Sequence, residues 1–252
     1  MYGRSFAKVY NKWWIEFATI IAPRIFEYYE LQPISEHNKS VLDLCCGTGQ
    51  LALYFLKNGY KTLGIDLSEY MLAYARMNTA KYIEKGLADF KQGDVTAFSL
   101  DSQFGLVVST FDSLNHLENF EALENCFHCV YKVLLKGGLF IFDLNTRTGL
   151  DRWNEIFIQD TEEAMIVTRG IYDGKGDKAW TKVSGFIQAD NGTYERFDEI
   201  ISNTTFELER VKKKLHEIGW ARVQFTQVLD LDFRLEEPER ERRVVIIAAK
   251  PF

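Results

Sequence analysis

Asp43, Asp66 and Asp94 recur at comparable points of the chain, each inside or just after a short apolar run, and the first is followed by Gly47-Thr48-Gly49. An ionised carboxylate on a buried strand costs free energy unless a donor or cation meets it, so Asp43 calls for a partner, either protein or ligand. The glycines suit a tight turn whose backbone a ligand can touch, because a residue without Cβ reaches left-handed dihedrals cheaply. Asp66 follows about 20 residues beyond the turn, where folds that bind nucleotide cofactors hold ribose hydroxyls. Asp94 stands past a third run, again at the strand edge where open α/β sheets bind ligands. Together these residues point to a nucleotide-type cofactor.

The elements that must carry them alternate along the chain. Strands are expected over residues 40–44, 60–66, 89–92, 104–110 and 139–144, with a helix over 50–57 ending at Asn58-Gly59 and another capped by Ser68 with Met71, Leu72 and Ala75 inward. A further helix over 119–134 runs up to a Lys136-Gly137-Gly138 turn, and this βαβ alternation predicts a parallel sheet covered on both faces. Residues 2–31 carry aromatics at helical spacing that Pro23 interrupts; Tyr10, Trp13 and Trp14 could wall a pocket as well as pack. Past Thr148, strand-like runs over 164–172, 178–189 and 193–202 separated by Asp173-Gly174-Lys175-Gly176 and Asp190-Asn191-Gly192 read as an antiparallel meander over the same sheet edge. Thr204 and Glu207 have capping-box spacing for a helix reaching His216 and ending at Gly219, and 220–231 and 243–249 complete the sheet as an antiparallel pair. The expected architecture is α/β: a Rossmann-like, seven-stranded, mostly parallel, doubly wound sheet in one domain over 1–252. Within it, 1–35 form an N-terminal helical cap, 36–148 and 204–252 the cofactor-binding core, and 149–203 an inserted lid or substrate region.

Composition narrows the function classes. With a net charge of -6 and pI near 5.4, a broad basic face for nucleic acid is not expected. No apolar run approaches the roughly 18 residues a bilayer span requires, and no signal-peptide core is seen, so no membrane partner and a cytoplasmic location are expected. The four cysteines give no disulfide framework, and Cys126-x-x-Cys129 lies in an apolar helical stripe that favours packing over metal binding.

Gly47-x-Gly49-x-x-Ala52 alone also fits a dinucleotide fingerprint, which keeps an NAD-dependent oxidoreductase as a rival. The Tyr-x-x-x-Lys pair that many such reductases use is absent. The run Val41-Leu42-Asp43-Leu44-Cys45-Cys46-Gly47-Thr48-Gly49 resembles the first motif of the class I S-adenosylmethionine-dependent methyltransferases, and the glycines, the meander after the fifth strand and the Asp112-Ser113-Leu114-Asn115-His116 loop look most like that family's small-molecule branch. Gly64-Ile65-Asp66-Leu67-Ser68 with Met71-Leu72, Gln92-Gly93-Asp94, the 111–117 loop and Lys136-Gly137-Gly138 are similar to that family's later motifs, in order. The resemblance implies S-adenosyl-L-methionine as cofactor and S-adenosyl-L-homocysteine as product. Asp43 would stand near the methionine ammonium, with Cys45, Gly47, Gly49, Gly93 and Thr110 along the cofactor, Asp66 on the ribose, Asp94 on the adenine amino group, and Leu67, Met71 and Val95 against the ring. An acidic pocket attracts a sulfonium and would repel a pyrophosphate.

The implied activity is methyl transfer to a nitrogen or oxygen of a small-molecule acceptor; a non-catalytic cofactor-binding sensor or partner subunit is the alternative. His116 is the expected general base, since its unperturbed pKa of about 6.5 suits proton removal at neutral pH, with Asp112 as second candidate. Tyr10, Trp14, Asn115, Asn145, Arg147 and Arg196 are expected at the acceptor. His37, His128 and His216 read as helix or surface residues without partners.

Overall fold

The computed structural model describes residues 2–151, 153–189 and 191–252. Two helices, α1 (Arg4–Trp13) and α2 (Glu16–Glu30), precede an alternating core of β1 (Ser40–Leu44), α3 (Gln50–Lys57), β2 (Lys61–Asp66), α4 (Glu69–Ile83), β3 (Ala88–Gln92), β4 (Phe104–Ser109), α5 (Phe120–Val133) and β5 (Leu134–Asn145). A short helix α6 (Arg147–Leu150) leads to β6 (Ile156–Asp160), β7 (Ala164–Ile171), β8 (Lys178–Gln188) and β9 (Tyr194–Thr204); α7 (Leu208–Ile218), β10 (Arg222–Thr226) and β11 (Arg243–Ala249) close the chain.

The seven-stranded sheet has the order β10-β11-β5-β4-β1-β2-β3, parallel except for β11, which runs antiparallel to both β5 and β10. After β1 the chain moves to β2 on one side, while β4 lies on the other, so the order reverses at β1 and opens a crevice at the C-terminal strand ends. Val41, Leu42 and Leu44 are fully buried, as are Leu106, Val107 and Val108, because helices cover both sheet faces. The antiparallel sheet β6-β7-β8-β9 packs its inner face, Ala164, Ile166, Val183, Ile187 and Phe197, against Phe6, Ala7 and Val9 of α1 and Met71 of α4.

Several local expectations are corrected. Pro23 does not divide the N-terminal segment: α2 runs through it, and the break falls at Trp14-Ile15. Proline removes one helical hydrogen bond, and burial of Ile21, Ala22, Ile25 and Tyr29 holds the helix together across it. Lys136-Gly137-Gly138 is a bulge inside β5 rather than a turn ahead of it: β4 pairs Phe104 with Leu134 but Leu106 with Leu139, and Gly137 takes φ 75°. Thr204 ends β9, Glu207 is the N-cap residue of α7 with no side-chain cap bond, and the Leu208 amide donates instead to Glu239 Oε1 at 2.7 Å. Strand β6 was not expected at all. Of the second turn, Asp190 lies outside the described residues. His216 is not without a partner, since its Nδ1 meets the Trp220 carbonyl at 3.0 Å. Cys126 is fully buried and Cys129 half-buried, in keeping with packing, and the described residues contain no cluster fit to hold a metal ion. No helix among them is long and apolar enough to cross a membrane.

Glycine 64 on β2 shows how tightly the first turn is backed. A Cβ there would stand 2.4 Å from Phe90 Cδ1 and 2.8 Å from Cys46 Sγ. Gly64→Ala is expected to destabilise the fold by about 1–3 kcal/mol through overpacking, read as a lower urea midpoint at unchanged slope.

Candidate cofactor and acceptor site

The crevice at the C-terminal strand ends opens into a cavity of about 500 Å³. One wall comes from the first three βα units: Cys45, Gly47, Asp66, Leu67, Met71, Gly93, Asp94 and Val95. The opposite wall comes from α1 with Tyr2, from the loop after β4, and from β7–β9.

The first wall is shaped by backbone conformation. Gly47 takes φ 53° and Gly49 φ 77°, and Cys45, a residue with a Cβ, takes φ 56°. Asp66 fixes the turn: its Oδ2 accepts from the Gly47 amide at 2.9 Å and its Oδ1 from the Ser68 amide at 2.8 Å. The Leu67 amide also bonds to this carboxylate, and some acceptor capacity remains for a ribose hydroxyl. Burial pushes the Asp66 carboxyl up, against the lowering pull of those amides. Leu67 is half exposed beside it, Met71 is buried, and Val95 closes the floor, giving apolar surface for a flat ring. Asp94 Oδ1 accepts from the amide and hydroxyl of Thr96, an Asx turn that holds the carboxyl at the rim.

Asp43 and Gly49 stand behind this wall instead of lining it. Asp43 is 2% exposed, takes a hydrogen bond from the Ala52 amide at the start of α3, and leaves Oδ2 without a partner among the described residues. Burial pushes its carboxyl up to about 8, and the nearby Asp66 adds to the rise. Gly49 serves close packing, since a Cβ there would come within 3.0 Å of Ala75.

The opposite wall is organised by Arg243, at the start of β11 beside the end of β5. Its guanidinium donates to Asp112 Oδ1 at 2.8 Å, Asp143 Oδ2 at 3.1 Å and Asn145 Oδ1 at 3.2 Å, and lies over the rings of Phe17 and Phe111. Asp143 in turn accepts from the amides of Phe111 at 2.6 Å and Asp112 at 2.9 Å. Those two residues have φ 65° and 48°, so the carboxylate holds a left-handed turn that side chains with a Cβ disfavour. With Cys45 they are the non-glycine residues of positive φ among those described, and all of them line the cavity. Asp112 is therefore not the free base expected of it, because its Oδ2 also accepts from Asn145 at 2.9 Å and Asn203 at 2.8 Å.

His116 lies in the turn after β4, against β9. Its Nδ1 faces the Ser202 carbonyl at 2.7 Å, and since a carbonyl only accepts, Nδ1 carries the proton. In the tautomer that carries its proton on Nδ1, Nε2 is the acceptor nitrogen of a residue that lines the cavity. Tyr10 and Trp14 line it as expected, and burial pushes the Tyr10 hydroxyl far above its ordinary range, so it remains a donor.

The remaining expectations fall outside the lining. Asn115 is a fully buried brace that donates to the carbonyls of Asn145 and Thr204 and accepts from the Asn145 amide. Asn145 supports Asp112, the Thr110 carbonyl accepts from Ser113, and Arg147 donates to the Lys175 carbonyl at the surface. Arg196 lies on the outward face of β9, paired with Asp198; the inward face carries Phe197, Glu199, Ile201 and Asn203. Sequence reasoning missed Arg243, Tyr2, Phe111 and Trp153. Arg243 alone had a signal, since two acidic residues near one strand end required a cation.

Removing Arg243 tests this network. Burial, offset by Arg243, places the Asp143 carboxyl at about 6, above the unfolded value of about 4. The native chain therefore holds extra proton between those values, and this group's contribution to stability falls as pH rises through the window. Without the guanidinium the fall steepens. Arg243→Met is expected to cost about 3–5 kcal/mol at pH 8 and clearly less at pH 5, where the carboxyls take up protons, as measured by urea unfolding at the two pH values.

Residues 41–138 match the sequence model of the Methyltransferase domain family. A protein of Geobacillus sp. (strain WCH70), named as a methyltransferase, is 31% identical over 215 residues, covering 84% of this chain and 85% of that protein. The fold is shared with an S-adenosylmethionine-dependent methyltransferase from Clostridium acetobutylicum ATCC 824, with a TM-score of 0.78 at 23% identity over 98% of each chain. It is shared equally with the sugar N-methyltransferase KedS8 from Streptoalloteichus sp ATCC 53650, with a TM-score of 0.78 at 18% identity over 100% of this chain and 95% of that one. Ordered motifs, sheet topology and a relative spanning most of its length make this chain a member of the class I S-adenosylmethionine-dependent methyltransferase family.

Proposed function

We propose that the chain binds S-adenosylmethionine along the Cys45–Val95 wall and transfers its methyl group to a nitrogen or oxygen of a small molecule held against α1 and the second sheet. The observation that carries the reading is the juxtaposition in one cavity of Asp66 with its remaining acceptor capacity, the left-handed Gly47 turn and the acceptor nitrogen of His116. The donor set fits the cofactor: a carboxylate for a diol, apolar surface for an adenine, and Asp94 at the rim for its amino group. When bound, S-adenosylmethionine supplies an electrophilic methyl group on a cationic sulfur.

The chain's own residues do the rest. Tyr10, Trp14 and Phe111 exclude water and restrict the acceptor's orientation, an effect that can contribute up to about 7–11 kcal/mol in well-aligned systems. His116 takes the acceptor's proton at Nε2 while the Ser202 carbonyl holds Nδ1–H and fixes the ring. Asp112, Asn115 and Asn145 hold the His116 turn against β5 and β9, which makes them positioning residues.

Calorimetry with S-adenosylhomocysteine is expected to give a binding isotherm, and none at ~1 mM ligand would sink the reading. His116→Ala is expected to lower turnover by about 10²–10⁴ with S-adenosylhomocysteine affinity intact. Unchanged turnover removes the base role and leaves the binding assignment standing.

A further inference from the structure

The cavity's charge is one-sided. Asp66, Asp94, Asp112 and Glu199 line it, against Arg243 as the one Lys or Arg side chain among the described lining residues. Arg243 has no charge to spare, because Asp112 and Asp143 flank its guanidinium at 2.8 and 3.1 Å. A bound S-adenosylmethionine has an ammonium, a sulfonium and a carboxylate, hence one net positive charge, and leaves the lining with an excess of negative charge.

Within the acceptor half that excess sits on Glu199. It stands on the inward face of β9, paired in register with Val183, half-buried and inside the cavity. Its Oε1 accepts from the Gly3 amide at 2.8 Å, which holds the carboxylate in place, and its Oε2 meets no donor among the described residues. Tyr2, the residue before Gly3, sets its ring edge-on to His116 at 6.5 Å, so Glu199 and the proposed base flank the same two residues. Tyr2, Tyr10, Trp14, Phe111 and Trp153 line the same cavity, and aromatic rings of this kind can attract a cation.

Resting on the methyl-transfer reading, we infer that the acceptor enters as a cationic amine whose charge is anchored by Glu199 and the aromatic rings of the same cavity, and that acceptors bearing phosphate or carboxylate are excluded. Glu199 is then a specificity-determining residue. An ammonium held there gives one proton to His116 Nε2, which frees the nitrogen lone pair. A hydroxyl acceptor would leave the Glu199 carboxylate without a counter-charge, and a phosphate would meet the acidic lining with no free cation to receive it.

The test uses the full chain saturated with S-adenosylhomocysteine and matched probes followed by saturation-transfer NMR: glucosamine against glucose, phenethylamine against phenethyl alcohol, and glucose 6-phosphate. Each amine is expected to bind about tenfold or more tightly than its hydroxyl twin, with the phosphate not binding, a tenfold ratio being what one partly screened charge contact supplies. Glu199→Gln, which keeps an oxygen for the Gly3 amide, is expected to bring the pairs within about twofold while thermal midpoint and S-adenosylhomocysteine affinity hold; Glu199→Asp is expected to retain part of the preference. Equal binding by a hydroxyl twin, binding by the phosphate, a preference that survives Glu199→Gln, or no amine binding at ~10 mM overturns the inference. Failure of S-adenosylhomocysteine to bind strikes the methyl-transfer reading instead, and the amine preference is then read on the cofactor-free chain.

Discussion

Arg243 holds together groups that would otherwise repel one another. Asp112 and Asp143 place two carboxylates beside one guanidinium at the end of β5, where burial withdraws most of the water that would screen them. Paired ions taken out of water yield little net stability, but losing one partner leaves a charge with nowhere to go. Their value here lies in direction. Asp143 spends both oxygens on the Phe111 and Asp112 amides, Asp112 reaches Asn203 on β9, and Asn145 ties the pair to Arg243. The seven-stranded sheet, the loop carrying His116 and the antiparallel sheet thus meet in one polar network, and the position of the histidine depends on it.

The cofactor wall rests on a different constraint, backbone shape. A tight turn between β1 and α3 brings amides toward the cavity only if Cys45, Gly47 and Gly49 adopt left-handed dihedrals, and for Cys45 this costs about 1–2 kcal/mol. Asp66 accepting from the Gly47 amide and Phe90 filling the space behind Gly64 hold the turn in that shape. Asp43 completes the support from below. One of its oxygens accepts from the Ala52 amide, the other has no partner among the described residues, and burial carries its carboxyl up to about 8 against the pull of that amide. The strained positions cluster around the cavity while the strands behind it are regular, as expected where rigid elements present reactive geometry.

Much of this was legible in the chain. The strand Ser40–Leu44 and the helix Gln50–Lys57 begin and end where their apolar runs and glycine punctuation place them, and Ser68 and Asn119 cap α4 and α5 through side-chain bonds to Met71 and Ala122. The cavity residues Gly47, Asp66 and Asp94 were readable because their placement at the strand ends follows from local order along successive βα units. What escaped was non-local. Arg243 lies about a hundred positions from the carboxylates it serves, and only the antiparallel return of β11 beside β5 brings them together. Strand β6 hid because Ile156, Phe157 and Ile158 are all exposed and break the alternation that marks a half-buried strand. Thr204 and Glu207 had the spacing of a cap, but β9 claims Thr204, and Glu239 from a distant turn supplies the acceptor instead. Arg196 was set on the wrong face of its strand because alternation gives two faces without saying which one is inward.

The division of the cavity between two walls of separate origin bears on how such a protein diversifies. One wall is drawn from residues 45–95, the other mainly from α1 and residues 153–203. Substitutions at Glu199, Thr168, Thr181 or Trp153 can redraw the second wall while the Gly47 turn keeps its shape. The two walls thus bear change independently: the outline of one can be redrawn while the turn that shapes the other stays fixed by its own bonds.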